Sequence, residues 1–256
     1  MFTSATFDAS HTSRKHFNLP NGTGFWKSDF IRGEHGVNPA PHSFLVEQDA
    51  NEVILPHFHE QNQFQVIVAG GGSLGRNEVS PIVVHYAGAY TGYGPITAGP
   101  MGLHYFTFRP MLDNGALFVH ESRDKMKRGP KKHFQSAPAQ TLSTAALAAL
   151  TESTTITLAE DADGLVAKHL HLAPGQSTAS VDPRTGGGQY LLVMNGAAII
   201  SGQTLNRLGC AFVSNDEAAL NVMASDAGAE VLVLQFPRAE YVATFIPGTS
   251  PYHGND

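Results

Sequence analysis

A segment in the first half of this chain returns in the second. Gln63-Phe64-Gln65-Val66-Ile67-Val68-Ala69-Gly70 and Gln189-Tyr190-Leu191-Leu192-Val193-Met194-Asn195-Gly196 share a Gln, an aromatic residue, a β-favouring run and a closing Gly, 126 residues apart in a chain of 256. Each half also has a later β-run that closes on an aromatic residue and a Pro, HYFTFRP at Pro110 and VLVLQFP at Pro237. A period of half the chain predicts two copies of one module.

The texture of that module is the same in both places. From about Ser43 to His120 the runs are HSFLVEQ, EVILPHFH, FQVIVAGGG, PIVVHYAG and LHYFTFRP; from about Thr154 to Ala243 they are TTITLAE, LVAKHLHLAPG, QYLLVMNGAAIIS, CAFVS, LNVMAS and EVLVLQFP. Each is short, β-branched or aromatic, and cut by Gly, Pro or Asn, as in a sandwich or barrel. Ser122–Leu150 differs. Arg123, Lys125, Lys127, Arg128, Lys131 and Lys132 put six of the 16 basic residues into ten positions. The Ala-rich stretch Thr141–Leu150 then predicts one helix of about three turns, capped by Thr141 or Ser143. The basic run, 123–132, reads as a solvated linker, with an anion or acidic-partner patch as the alternative. The organisation expected is an N-terminal domain over 1–121, a linker with a short helix over 122–152, and a C-terminal domain over 153–256.

Composition narrows the partners. Lys+Arg 16 against Asp+Glu 22 gives a net charge of −6, where a nucleic-acid binder would carry a basic excess. No apolar run approaches the ~20 residues that span a bilayer, and the opening MFTSATFDASHTSRKHF has no apolar signal-peptide segment. One cysteine, Cys210, excludes an internal disulfide and reads as an inert core residue. The cytoplasm is therefore expected, with neither nucleic acid nor membrane as partner.

Thirteen histidines make H-x-H triplets cheap, on the order of half a triplet by chance. There are two, His57-Phe58-His59 and His169-Leu170-His171. On a strand, residues i and i+2 point the same way, so either pair could bind one ion. His57 and His59 enter a turn just before the strand QFQVIVAGG, and His104 follows within LHYFTFRP. His169 and His171 flank Leu170, which alternates with Leu172 as a core pair, so their face is expected toward solvent or a domain interface.

At this point the first half resembles the cupins, small double-stranded β-helix barrels. The family's first motif, G-x5-H-x-H-x3,4-E-x6-G, is matched from Asn51 through His57, His59 and Gln63 to Gly70, with Asn for the leading Gly and Gln for Glu. The second, G-x5-P-x-G-x2-H-x3-N, is matched by Gly94, Pro100, Gly102 and His104, with one residue missing before the His and no final Asn. The second half keeps the frame without these ligands. The resemblance implies an all-β fold of two tandem cupin (jelly-roll) barrels with one short helix in the linker. It further implies a metal site of His57, His59, His104 and Gln63 in the first barrel for a divalent transition metal, Fe, Ni, Mn, Cu or Zn.

Gln63 is neutral, so an ion held there would keep about its full +2 charge, which favours an anionic or enolisable organic substrate. Gln65, Phe106 and Phe108 are expected to line the substrate pocket, the two Phe by sharing the face of His104; Arg109, on the other face, reads as structural. Glu47 and Glu60 are candidate acids only by their nearness in the chain, and no catalytic residue is assigned. Three functions remain open: a three-His metal-dependent dioxygenase-type enzyme, a non-catalytic cupin that binds a small molecule or metal as a sensor or store, or a metal-free isomerase-type or purely structural bicupin whose His are ordinary barrel residues. Pairing into a homodimer through sheet edges is expected.

Overall fold

The computed structural model describes residues 1–19, 22–129 and 131–238. Strands make up 51% of the described residues and helix 9%, so the fold is all-β. The described residues divide into two compact units, Ser13–Gln140, and 141–238 together with Met1–Thr12.

In the first unit the sheet runs His133–Gln135, Val84–Ala87, Gln63–Leu74, Ile96–Arg109, His42–Gln48, Gly24–Arg32, Lys15–Asn18. Its strands curl round a core that includes Val46, Ile54, Ile67, Leu103 and Tyr105. In the second unit the order is Phe2–Ala5, Cys210–Val213, Gln189–Ile200, Asn221–Gln235, Val166–Leu172, Thr154–Glu160, round a core that includes Leu170, Leu172, Leu191, Val231 and Val233. Cys210 is buried there.

The internal repeat is written into the backbone. Gly70 and Gly196 both take a positive φ, 70° and 68°. A Cβ on Gly70 would stand 2.1 Å from the Gly102 carbonyl oxygen, and one on Gly196 would stand 2.2 Å from that of Gly228. Gly is required at both points because two strands cross with no room for a side chain. The hydrogen bonds repeat with the same offset: Ile67 N–H donates to Val83 O and Val193 N–H to Gly209 O, each at 3.0 Å.

Two stretches have partners that no periodicity reveals. Phe2–Ala5 pairs with Cys210–Val213, so the opening residues belong to the second unit. His133–Gln135 pairs with Val84–Ala87, and Ala139 N–H donates to Ile82 O at 2.7 Å, so part of the basic linker region is sheet. The Ala-rich helix is Thr144–Ala148, shorter than three turns; Ser143 caps it by accepting from the Ala146 N–H at 3.1 Å. Among the described residues no helix is long and apolar enough to cross a membrane.

The Phe2–Ala5 strand covers one side of Cys210–Val213, all four residues of which are buried. Deleting residues 1–5 exposes that edge. The expected result in calorimetry is a lower melting temperature for the second unit and faster aggregation on heating, with the first unit's transition unmoved.

Candidate functional site

The first barrel encloses a cavity of about 1020 Å³, at the upper end of the range for small-molecule pockets. Its contents follow from the strand Ile96–Arg109. Leu103 and Tyr105 pack in the barrel core, and Tyr105, Thr107 and Arg109 line the cavity. Period-2 alternation then turns His104, Phe106 and Phe108 to the other face. There Phe106 and Phe108 stack with ring centroids 5.3 Å apart, and Phe106 meets Phe30 edge-on at 4.7 Å. His104 is thus placed away from His57 and His59, and the two Phe away from the pocket. Arg109, read from the sequence as structural, is inside. Of the other expected residues, His57, His59 and Gln65 line the cavity, and Gln63 lies buried beside them.

His57 sits on the two-residue strand His57–Phe58 and bridges Tyr93: each N–H donates to the other's carbonyl, at 3.1 and 3.0 Å. The two rings lie 4.5 Å apart. Tyr93 thus packs against His57 at the cavity wall, while the position that full motif spacing from Gly102 gives to a third imidazole is held by Tyr105. Its hydroxyl accepts from Gln63 Nε2, while Gln63 Oε1 accepts from Arg109 Nε at 3.2 Å and Nη2 at 3.0 Å. Both ends of Gln63 are engaged.

The imidazoles are held by their Nδ1 atoms. His57 Nδ1 is 2.8 Å from Leu55 O, and His59 Nδ1 is 2.7 Å from Asp113 Oδ1. An oxygen acceptor at Nδ1 keeps the proton there and leaves Nε2 as a lone pair. Burial, with His59 as neighbour, pushes His57 down to about 3, and burial with the Arg109 charge lowers His59. Both are neutral at pH 7.

Asp113 anchors the cluster from the turn after Arg109. It accepts from the Gly115 N–H at 2.9 Å and the Glu60 N–H at 3.1 Å, and its Oδ1 lies 3.4 Å from Arg109 Nη1. Burial alone would raise its pKa, but Arg109 and His59 outweigh burial and hold it well below the usual carboxylate range. Nothing in the residue pattern marks Asp113, which has no motif spacing. The two acids considered there are engaged elsewhere: Glu47 pairs with Arg14 at 2.6 Å, and Glu60 accepts from Tyr90 and Asn114.

The rest of the lining is cationic and aromatic. Lys15, Lys27, Arg32 and Arg109 face it against Asp29 and Asp113. Lys27 lies 2.7 Å from Asp29 and 4.4 Å from the centroid of the Phe44 ring. Deeper in, Gln65 Oε1 is 3.0 Å from His85 Nδ1. In the second barrel, His169 and His171, expected toward solvent or a domain interface, are buried.

No family model matches the sequence, and no curated protein is similar to it. Solved structures do match in shape. Bacterial pirin YhhW of Escherichia coli, in complex with nickel(II), aligns over 93% of this chain and 100% of its own at 12% identity, TM-score 0.57. A mutant of the Bacillus subtilis oxalate decarboxylase OxdC aligns over 94% and 78% at 11% identity, TM-score 0.58. These are cupin-fold proteins, and at such identities the likeness is one of fold.

Buried imidazoles make the first barrel acid-sensitive, His59 among them. Burial lowers His42 to about 4 (against the pull of Asp29) and His57 and His85 to about 3, from 6.5. Between those values the unfolded chain takes up protons that the folded chain refuses, so the stability present above pH 6.5 is lost as pH falls, at about 1.4 kcal/mol per pH unit for each group. Denaturant midpoints should drop between pH 7 and 5, and His85→Gln should flatten the slope by about a quarter.

Proposed function

We propose that this chain, a bicupin in fold, binds a small organic anion in its first barrel, with Arg109 as the fixed positive charge and Nε2 of His57 as an acceptor. The observation that carries this reading is the Arg109 side chain, 4% exposed, lining a cavity that also presents Lys27 and two neutral imidazoles. A carboxylate matches the cationic wall, and a neighbouring hydroxyl or enol can donate to Nε2 of His57. Phe44 and Tyr105 offer apolar surface to the remainder of the ligand.

The residues present do not fit the four-ligand metal centre that the cupin resemblance implies. His104 faces the wrong way, Gln63 is engaged at both ends, and Arg109 Nη2 lies 3.1 Å from each ring nitrogen of His59. A dication about 4 Å from a guanidinium meets a repulsion of about 8 kcal/mol at an effective dielectric near 20. A base drawn down to about 3, as His57 is, is also far from the value that suits proton transfer at neutral pH. Both facts favour binding over dioxygenase-type turnover.

One observation keeps a metal-dependent reading as the second choice. Anchoring of Nδ1 by a carbonyl in His57 and by a carboxylate in His59 is how ligating imidazoles are usually held. In that reading a chelating substrate would complete the coordination, and metal bound to purified, untagged protein would be lost in His57→Ala.

Calorimetric titration with small mono- and dicarboxylates, hydroxy acids and their neutral amides tests the first reading. Carboxylates should bind and amides should not, with affinity falling as salt rises; Arg109→Met should weaken binding at least about tenfold, and Lys27→Met less. Because Arg109→Met leaves Asp113 without its partner, Lys27→Met and the salt series serve as the independent measurements. Equal binding of acids and amides overturns the proposal.

Homodimerisation belongs here too. It is supported by Thr154–Glu160, an edge strand that exposes Ile156, since unpaired edges favour association. Sedimentation should show a dimer that Ile156→Lys converts to a monomer.

A further inference from the structure

The second barrel buries three ligand-type side chains on the face of its sheet away from the barrel core. His169 and His171 lie on Val166–Leu172 and Glu230 on Asn221–Gln235, with His171 directly across from Glu230 and His169 across from Leu232. The alternating residues Leu170, Leu172, Val231 and Val233 fill the core, which puts His169, His171 and Glu230 together on the opposite face. They are 0%, 9% and 1% exposed.

Their geometry is that of donors without an acceptor. Glu230 Oε1 lies 2.9 Å from His169 Nε2 and 3.4 Å from His171 Nε2. Yet both carboxylate oxygens, both Nε2 atoms and His169 Nδ1 are buried with no aligned hydrogen bond. The two rings are 4.4 Å apart at 80°. Atoms bound about 2.1 Å from one ion stand ~3.0 Å apart at a right angle and ~3.4 Å apart at the tetrahedral angle. The observed separations fall on those two values. A carboxylate could accept from both imidazoles, yet here none of these atoms has an aligned hydrogen bond, a state that buried polar groups avoid.

The cluster is peculiar to this half. Glu47 and His104 face each other in the first barrel as His171 and Glu230 do in the second, with Leu45 across from Phe106 where His169 is across from Leu232. The first repeat thus has one imidazole and one carboxylate at these positions, and no third donor.

We propose that His169, His171 and Glu230 bind one divalent transition-metal ion on the outer face of the second barrel's sheet, outside the barrel interior. Two imidazoles and a carboxylate suit Zn, Co, Ni or Fe(II) better than Mg or Ca. Three protein ligands leave a position for water or an exogenous donor, and His171 is the most exposed of the three. The site is independent of the anion cavity in the first barrel.

The test uses the full, untagged chain, produced in zinc-supplemented medium and then stripped with chelator and titrated with Zn²⁺ or Co²⁺. The expected result is one ion per chain, a rise in melting temperature with metal, and a visible Co²⁺ absorption of imidazole–carboxylate type. Glu230→Gln, close in shape, and His171→Ala should each weaken binding about a hundredfold, while His57→Ala with His59→Ala should leave this ion in place. The absence of any ion, both as purified and after titration of folded protein, overturns the proposal. So does binding that Glu230→Gln leaves unchanged. If a variant fails to fold, the wild-type melting shift and Co²⁺ spectrum still decide.

Discussion

The way Ile96–Arg109 turns its side chains decides what the first barrel can do. A strand alternates strictly, so placing Tyr105, Thr107 and Arg109 inside sends His104, Phe106 and Phe108 outside. Arg109 then meets Gln63, His59 and Asp113, and these contacts fix the imidazoles as neutral acceptors round a positively charged centre. Shifting the strand by one residue would bring His104 to the place of Tyr105 and Phe108 to the place of Arg109, so the cavity would gain an imidazole and lose its guanidinium. The chemistry of the barrel rests on that parity.

Much of the architecture was legible in the chain itself. The recurrence of Gln63–Gly70 as Gln189–Gly196 exposed the repeat because its Gly residues sit at crossings that admit no side chain, so their spacing is fixed by geometry. The pair His57 and His59 was legible for the same reason: a turn after a short strand leaves little freedom of placement. His104 was not. Its match to the second motif lacked one residue, and in a structure of period two a single missing residue exchanges the inside for the outside. Tyr93 and Asp113 were invisible because neither belongs to a pattern; Tyr93 reaches the site through a backbone bridge to His57, and Asp113 through a turn.

The two halves show how one backbone can carry different chemistry. In the first, titratable groups gather in the barrel interior and are neutralised or paired there. In the second, the interior is aliphatic, with Leu170, Leu191, Val231 and Val233, and the titratable groups sit on the reverse of the sheet. The same long strand supplies both arrangements, since Glu230 occupies the outward position that His104 holds 126 residues earlier. Duplication preserved the crossings and left the faces to diverge.

The pairing of Phe2 with Val213 has a consequence for biosynthesis. Phe2–Ala5 cannot find its partner until more than two hundred further residues have been made. Ser13–Gln140 can meanwhile close on itself while that strand waits unpaired. Contacts of such long sequence separation form late, which makes this strand a natural point of engagement for chaperones.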